Sequence, residues 1–125
     1  MDAPFTVEHV KEGNYILVRV FAPVTREMAA EFSQRVDEEC KRVGCCGYIV
    51  DGRGFPNISS VNDNVEYSAF DLKVTGVEAE MKHAVITDVD DDTHDLPILA
   101  MQEMGYTVKK FTDEQDAIAW LTGSS

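Results

Sequence analysis

Positive charge is scarce in this chain: eleven Lys and Arg stand against twenty-three Asp and Glu, a formal charge of −12 over 125 residues. Such an excess repels phosphate backbones and anionic lipid headgroups over a Debye length, which argues against nucleic acid or a membrane as partner. Between Val43 and Leu72 the sole basic residue is Arg53. The centre of the chain therefore carries no basic patch, although one arginine can still pair with a single carboxylate or phosphate. Long apolar runs are missing too, none approaching the ~20 residues that cross a bilayer. The opening MDAPFTVEHVKEG has neither the basic nor the apolar region of a signal peptide, so a cytoplasmic location is expected. Cysteine is confined to Cys40, Cys45 and Cys46, with no C-x-x-C spacing and no histidine close by. That pattern argues against a disulfide framework or a zinc site and for buried thiols, with Cys45 and Cys46 on opposite faces of a strand. The signatures G-x-G-x-x-G, P-loop and G-x-S-x-G are absent, which removes the usual support for nucleotide or hydrolase chemistry.

What is present is regular alternation of strand and helix patterns. FTVEHV and YILVRVFA flank a Gly-Asn turn and read as a hairpin, and the second run is apolar on both faces except at Arg19, as in an interior strand. Thr25 is placed to cap a helix whose Ala29, Phe32, Val36, Cys40 and Val43 form one stripe ending at Gly44, with Glu31–Arg35, Asp37–Lys41 and Glu38–Arg42 as outer pairs. Cys45 to Val50 reads as a strand, and Val61, Val65, Ala69 and Leu72 as the stripe of a second helix that stops near Gly76. A strand over Met81–Thr87, a helix from Pro97 to Gly105, a strand in YTVKKF and a last helix opened by a Thr112-x-x-Gln115 capping box complete the chain. This order predicts an α/β fold: a four- or five-stranded mixed, mostly parallel sheet with an N-terminal hairpin and four helices. One domain is expected over residues 1–122, with Gly123 to Ser125 as a flexible tail.

The segments YILVRVFAPVT, GYIVDGRG, MKHAVITD and the closing YTVKKFTDEQDAIAWL together resemble the STAS domain (sporulation anti-sigma factor antagonist-like), and in particular its bacterial STAS/CRAL-TRIO-like branch. The likeness covers nearly the whole chain. It implies a module for protein recognition and switching, with some branches associated with hydrophobic ligands instead. In anti-sigma antagonists an Asp-Ser pair follows the strand-terminal aspartate, and gapless counting from Asp51 places that pair on Ser59 and Ser60. Serine stands here at the aspartate position, and Asn62 where a glycine often follows. Ser60 is thus a candidate phosphorylation site by resemblance, and a simple helix N-cap by its own chemistry.

The strand-to-helix segment Asp51, Arg53, Phe55, Asn57, Ser59 and Ser60 is the expected surface for a protein partner or a second copy of the chain, because open α/β sheets keep their working surface at such junctions. A second expectation is a small hydrophobic ligand between helices, lined by Tyr67, Phe70, Ile98, Met101 and Met104, since Leu96, Leu99 and Ala100 already supply the apolar stripe that packing on a sheet needs. The run Asp88, Asp90, Asp91, Asp92, His94 and Asp95 has the oxygen ligands of a hard-cation site but not the spacing of an EF-hand, so it reads first as a solvated capping loop. No metal or other cofactor is expected. A third reading, a metal-assisted enzyme using that loop, requires magnesium or calcium to raise the melting temperature. His9, His83 and His94 fall in separate elements; Cys46 and His83 both belong to strands of the expected sheet and read as a buried thiol and a partly exposed histidine rather than a catalytic pair.

Overall fold

A computed structural model describes residues 3–45 and 47–123. Its strands are β1 Phe5–Val10, β2 Tyr15–Val20, β3 Gly47–Asp51, β4 Lys82–Ile86 and β5 Val108–Phe111. The helices are α1 Arg26–Val43, α2 Val61–Glu66, α3 Leu72–Thr75, α4 Asp95–Glu103 and α5 Glu114–Thr122. A π-helical turn, Tyr67–Asp71, joins α2 to α3 without a break, so the chain forms four helical bodies around one sheet. The strands lie in the order β1-β2-β3-β4-β5; β1 is antiparallel to β2, and the remaining neighbours are parallel. The expected mixed, mostly parallel α/β architecture with an N-terminal hairpin is the one found.

That strand order dictates where the helices go. Each parallel crossover steps to the next strand in the same direction, and crossovers of this kind are right-handed, so all three connecting helical bodies fall on one face. The larger core lies there: Ile16, Val18, Tyr48, Val50 and Val85 of the sheet meet Phe32 and Val36 of α1, Leu72 of α3, and Ile98 and Met101 of α4. The opposite face is covered by α5, whose Ala117 and Leu121 pack on Leu17, Ile49, Ala84 and Ile86. β3 is consequently buried along its whole length. Leu121 can approach so closely because β3 starts at a glycine: a Cβ on Gly47 would sit 2.5 Å from the Lys82 carbonyl oxygen and 2.8 Å from Leu121 Cδ1.

Local chemistry sets most boundaries. Thr25 Oγ1 accepts the Met28 N–H to start α1, and Gly44, at φ 68°, ends it with its N–H on the Cys40 carbonyl. α5 begins one residue later than the Thr112 box predicts: Asp113 accepts the N–H groups of Gln115 and Asp116, a carboxylate being the stronger acceptor at a positive helix terminus. Of the outer pairs on α1, Asp37–Lys41 forms, whereas Arg42 turns to Glu39. Cys40 and Cys45 are joined as a disulfide, with Cα atoms 5.0 Å apart, which corrects the expectation of buried free thiols: the left-handed turn at Gly44 folds Cys45 back on the helix end. Cys46, and with it the opposite-faces argument, lies outside the described residues, as do Ser124 and Ser125 of the expected tail; Gly123 is the C-cap of α5.

The second helical body departs most from its sequence pattern. Val61 and Val65 are exposed, while Asn64, Tyr67, Ser68, Leu72 and Thr75 are buried. A π turn inserts an extra residue into the helical repeat, so positions before and after it cannot share one 3.6-residue stripe. The polar inner side is satisfied internally: Ser68 Oγ donates to the Asn64 carbonyl at 3.1 Å, Thr75 Oγ1 donates to that of Leu72, and the Tyr67 hydroxyl bonds Ser33 Oγ across α1. Arg26, at the first residue of α1, clasps the same body through Asp71 at 2.7 Å, Asp63 at 3.5 Å and Glu66. In α4 the buried side is likewise Pro97, Ile98 and Met101, with Leu99 turned to solvent.

Gly47→Ala is expected to lower stability by about 1–3 kcal/mol in urea unfolding, because the obstructing atom is backbone and cannot swing away.

Candidate functional site

The strand-to-helix segment after β3 is fastened rather than loose. Asp51, buried at the strand end, accepts from Arg53 Nε at 2.9 Å, Arg53 Nη2 at 2.7 Å, the Arg53 backbone N–H at 3.2 Å and Arg19 Nη1 at 3.1 Å. Glu114, the first residue of α5, lies 3.6 Å from Arg19 and 3.7 Å from Arg53. Burial raises the Asp51 pKa, but the bonds from Arg53 and the charge of Arg19 outweigh it and hold the carboxyl below its ordinary value. Arg53 is therefore half committed to its own domain.

Further along, Gly52 donates its N–H to the Ile86 carbonyl at 2.8 Å, and the Gly54 N–H goes to Asp88 Oδ2 at 2.7 Å. Phe55 turns inward against the larger core, and its carbonyl accepts from His94 Nε2 at 3.1 Å. Pro56 and Ile58 bracket Val24, which donates to the Pro56 carbonyl at 2.8 Å and accepts the Ile58 N–H at 2.9 Å. Asn57 accepts the Ser59 N–H at 2.9 Å and donates to Asn64 Oδ1 at 2.9 Å. Ser60 Oγ accepts the Asp63 N–H at 3.0 Å and is the N-cap of α2. Of the six residues singled out from the sequence, Asp51, Phe55 and Asn57 organise the segment internally, Ser59 turns to the pocket described next, and Arg53 and Ser60 face outward.

Beneath this segment, over the helix-covered face of β3 and β4, lies a pocket of about 50 Å³, space for a few waters or a ligand of about four heavy atoms. Its floor is Val50, His83 and Val85 of the sheet. Val24, Ala29 and Phe32 form one wall, Tyr67 and Asn64 another, and Pro97, Ile98 and Met101 of α4 the third, with Asn57, Ser59 and His94 at the rim. Tyr67, Ile98 and Met101 of the predicted ligand-lining set thus come together. Phe70 and Met104 do not, being 62% and 42% exposed; Phe70 lies on the outer side of the π turn, away from the buried Tyr67 and Ser68, and Met104 stands at the C-cap of α4 beyond its buried side. The sequence pattern missed Asn64 and His83. Polar residues on a buried helix face leave no hydrophobic trace, and His83 enters through strand register alone.

His83 is buried, not partly exposed as its sequence context suggests, because α4 and the second helical body cover the pocket face of β4. It pairs in register with Tyr48 of β3, the two rings stacked at 4.1 Å, and its Nδ1 lies 2.9 Å from the Tyr48 hydroxyl. Its Nε2 has no partner: it is the sole buried side-chain nitrogen or oxygen among the described residues so placed. Burial lowers the imidazole pKa from 6.5 to about 3, so the ring is neutral.

The acidic run is a set of ties to neighbouring segments. Besides Asp88 on Gly54, Asp91 accepts from the Thr93 N–H at 2.9 Å and hydroxyl at 2.6 Å, and Asp95 meets Lys110 at 2.7 Å. No side chain hydrogen-bonds as a cap of α4, whose N-cap residue is His94, while the expected carboxylate at the helix start is Asp95 in the first turn. Among the described residues no group of three or more His, Cys, Asp and Glu side chains is placed to hold a metal ion.

The unfolded state binds a proton on this histidine below about pH 6.5 and the folded state only near pH 3, so His83 contributes stability that is complete above 6.5 and lost on acidification. Urea titrations between pH 6.5 and 4 are expected to show a loss of about 1.4 kcal/mol per pH unit from this group, and His83→Phe to flatten the slope. Asp51, with its depressed pKa, adds a separate loss below its ordinary 3.8, which that variant retains.

No family model and no curated protein matches the chain. Among solved structures it is similar to that of an uncharacterised protein from the DUF3478 family, with a SpoIIAA-like fold, from Shewanella loihica PV-4. The TM-score is 0.56 at 15% identity, over 94% of this chain and 91% of that one. No helix among the described residues is long and apolar enough to cross a membrane. With its antiparallel β1, parallel β2–β5, three helical bodies on one face and α5 on the other, the chain has the SpoIIAA-like, or STAS-type, fold.

Proposed function

We propose that this chain is a non-enzymatic regulatory binding module whose pocket takes a small, largely apolar ligand. The observation that carries the reading is a mainly apolar pocket whose lining includes a buried, neutral histidine with one ring nitrogen unpaired. A void lined only by aliphatic groups is ordinary packing slack, whereas a buried polar atom without a partner is rare and asks for an occupant. Native mass spectrometry of freshly purified protein is expected to show a reproducible extra mass that denaturation removes and that Met101→Phe, which fills the pocket, abolishes. Bare protein in every preparation sinks the reading.

A second reading, recognition of a protein partner or a second copy through the segment from Asp51 to Ser60, has its own support. Ile58, Val61 and Val65 are 61%, 67% and 40% exposed, at and just after the start of α2, where Ser60 also faces outward. Exposed aliphatic side chains this close in the chain mark interaction surfaces. The contact then comes from Ile58 and Val61 rather than from Phe55, which belongs to the core. Ile58→Asp with Val61→Asp is expected to abolish association, measured by sedimentation or by partner capture, while changing stability by no more than about 0.5 kcal/mol per site. Association that survives both substitutions removes this surface from consideration.

A further inference from the structure

The chemistry of the occupant follows from the hydrogen bonding around His83. Tyr48 and His83 are register partners on β3 and β4, so their side chains project together onto the pocket face. The Tyr48 hydroxyl is fully enclosed, and its one hydrogen bond is to His83 Nδ1 at 2.9 Å. A phenol carries a single proton. If that proton points at Nδ1, both groups are satisfied and the imidazole carries its own proton on Nε2. The opposite tautomer leaves the phenol proton without an acceptor in addition to a bare Nε2, two buried polar defects instead of one.

Most other polar groups at the pocket are engaged: Asn57 with Asn64, Tyr67 with Ser33, Thr25 with the Met28 N–H, and His94 with the Phe55 carbonyl, while the Ser59 hydroxyl stands at the rim, on the segment above the sheet and away from the floor where His83 lies. No carboxylate lines the pocket, and its one guanidinium, Arg26, is committed to Asp71, Asp63 and Glu66. An anion would find no free counter-charge there, and a cation would find no acid. We infer that His83 is the polar anchor of this pocket, held by Tyr48 in the tautomer that presents Nε2–H, and that it selects a compact, uncharged, mainly apolar molecule carrying one carbonyl-type acceptor. This inference rests on the ligand-binding reading and adds the polarity, charge and acceptor character of the ligand. The carbonyl oxygen accepts from Nε2–H, while Ile98, Met101, Phe32 and Val85 enclose the hydrocarbon part. Tyr48 is a positioning residue, acting through the histidine.

The test uses three probes of similar size, each small enough for a pocket of about 50 Å³: acetone, its isostere 2-methylpropene, and acetate, followed by shifts of the Ile98 and Met101 methyl signals. The expected order is acetone about tenfold tighter than 2-methylpropene, with acetate weakest, and a preference that falls to about twofold or less in His83→Phe. Equal binding of ketone and alkene to the native protein overturns the anchor while leaving the ligand reading intact. Failure of all three to shift those methyls overturns both. Nitrogen shifts of the labelled histidine ring in the native protein give a readout that needs no variant to fold. Nε2 protonated and Nδ1 bare is expected, with a mixture of tautomers in Tyr48→Phe; a ring protonated at Nδ1 in the native protein overturns the inference.

Discussion

Burial of β3 on both faces is the constraint on which the rest of the molecule depends. Five consecutive residues, Gly47 to Asp51, are shut from solvent, so each face of the sheet centre must be covered by helix. The monotonic strand order sends the three connecting helical bodies to one side and leaves α5 alone to close the other. α5 does so with a short apolar surface, Ala117 and Leu121, which reaches the sheet because Gly47 presents no side chain. The crowded face has the opposite problem. Three bodies converge over β3 and β4 without quite meeting, and the space between them is the pocket.

Asp51 links the two faces. Its carboxylate gathers Arg19 from β2 and Arg53 from the following segment, and Glu114 at the head of α5 joins the same cluster. With the chain fixed at that point and stitched to Val24 five and seven residues later, Asn57 and Ser59 are delivered to the rim of the pocket and Ser60 to the start of α2. The Arg26 clasp then holds α2 and the π turn against α1. A net-acidic chain spends several of its few cations in this way, on internal ties that place a binding surface.

Much of the fold was legible because it rests on local chemistry. Alternation in YILVRVFA, the stripe of α1, the Gly44 stop and the strand-helix rhythm each follow from periodicity and backbone preference, and they determined the element order. The second helical body was misread for a definite reason: a π turn resets the helical phase, and a face made of Asn64, Ser68 and Thr75 is invisible to a search for apolar spacing. Tyr67 stands off the apolar stripe in the sequence pattern, and the hydroxyl of Ser33 fixes its place. Phe70 and Met104 were counted as pocket residues because composition does not record which way a helix is turned.

The sequence by itself determined a mixed α/β domain with a STAS-like order of elements, a strand that runs to Val50 just before Asp51 and a helix capped at Ser60, since each follows from side chains near in the chain. Tertiary structure alone decided that the segment between them is tied down by Arg53, Val24 and His94, that Tyr67, Ile98 and Met101 share a pocket, and that His83 lies buried in its floor beside Tyr48. Those outcomes turn on strand register and on the packing of helices far apart in sequence. Pairing across a sheet juxtaposes residues thirty-five positions apart that no local pattern connects.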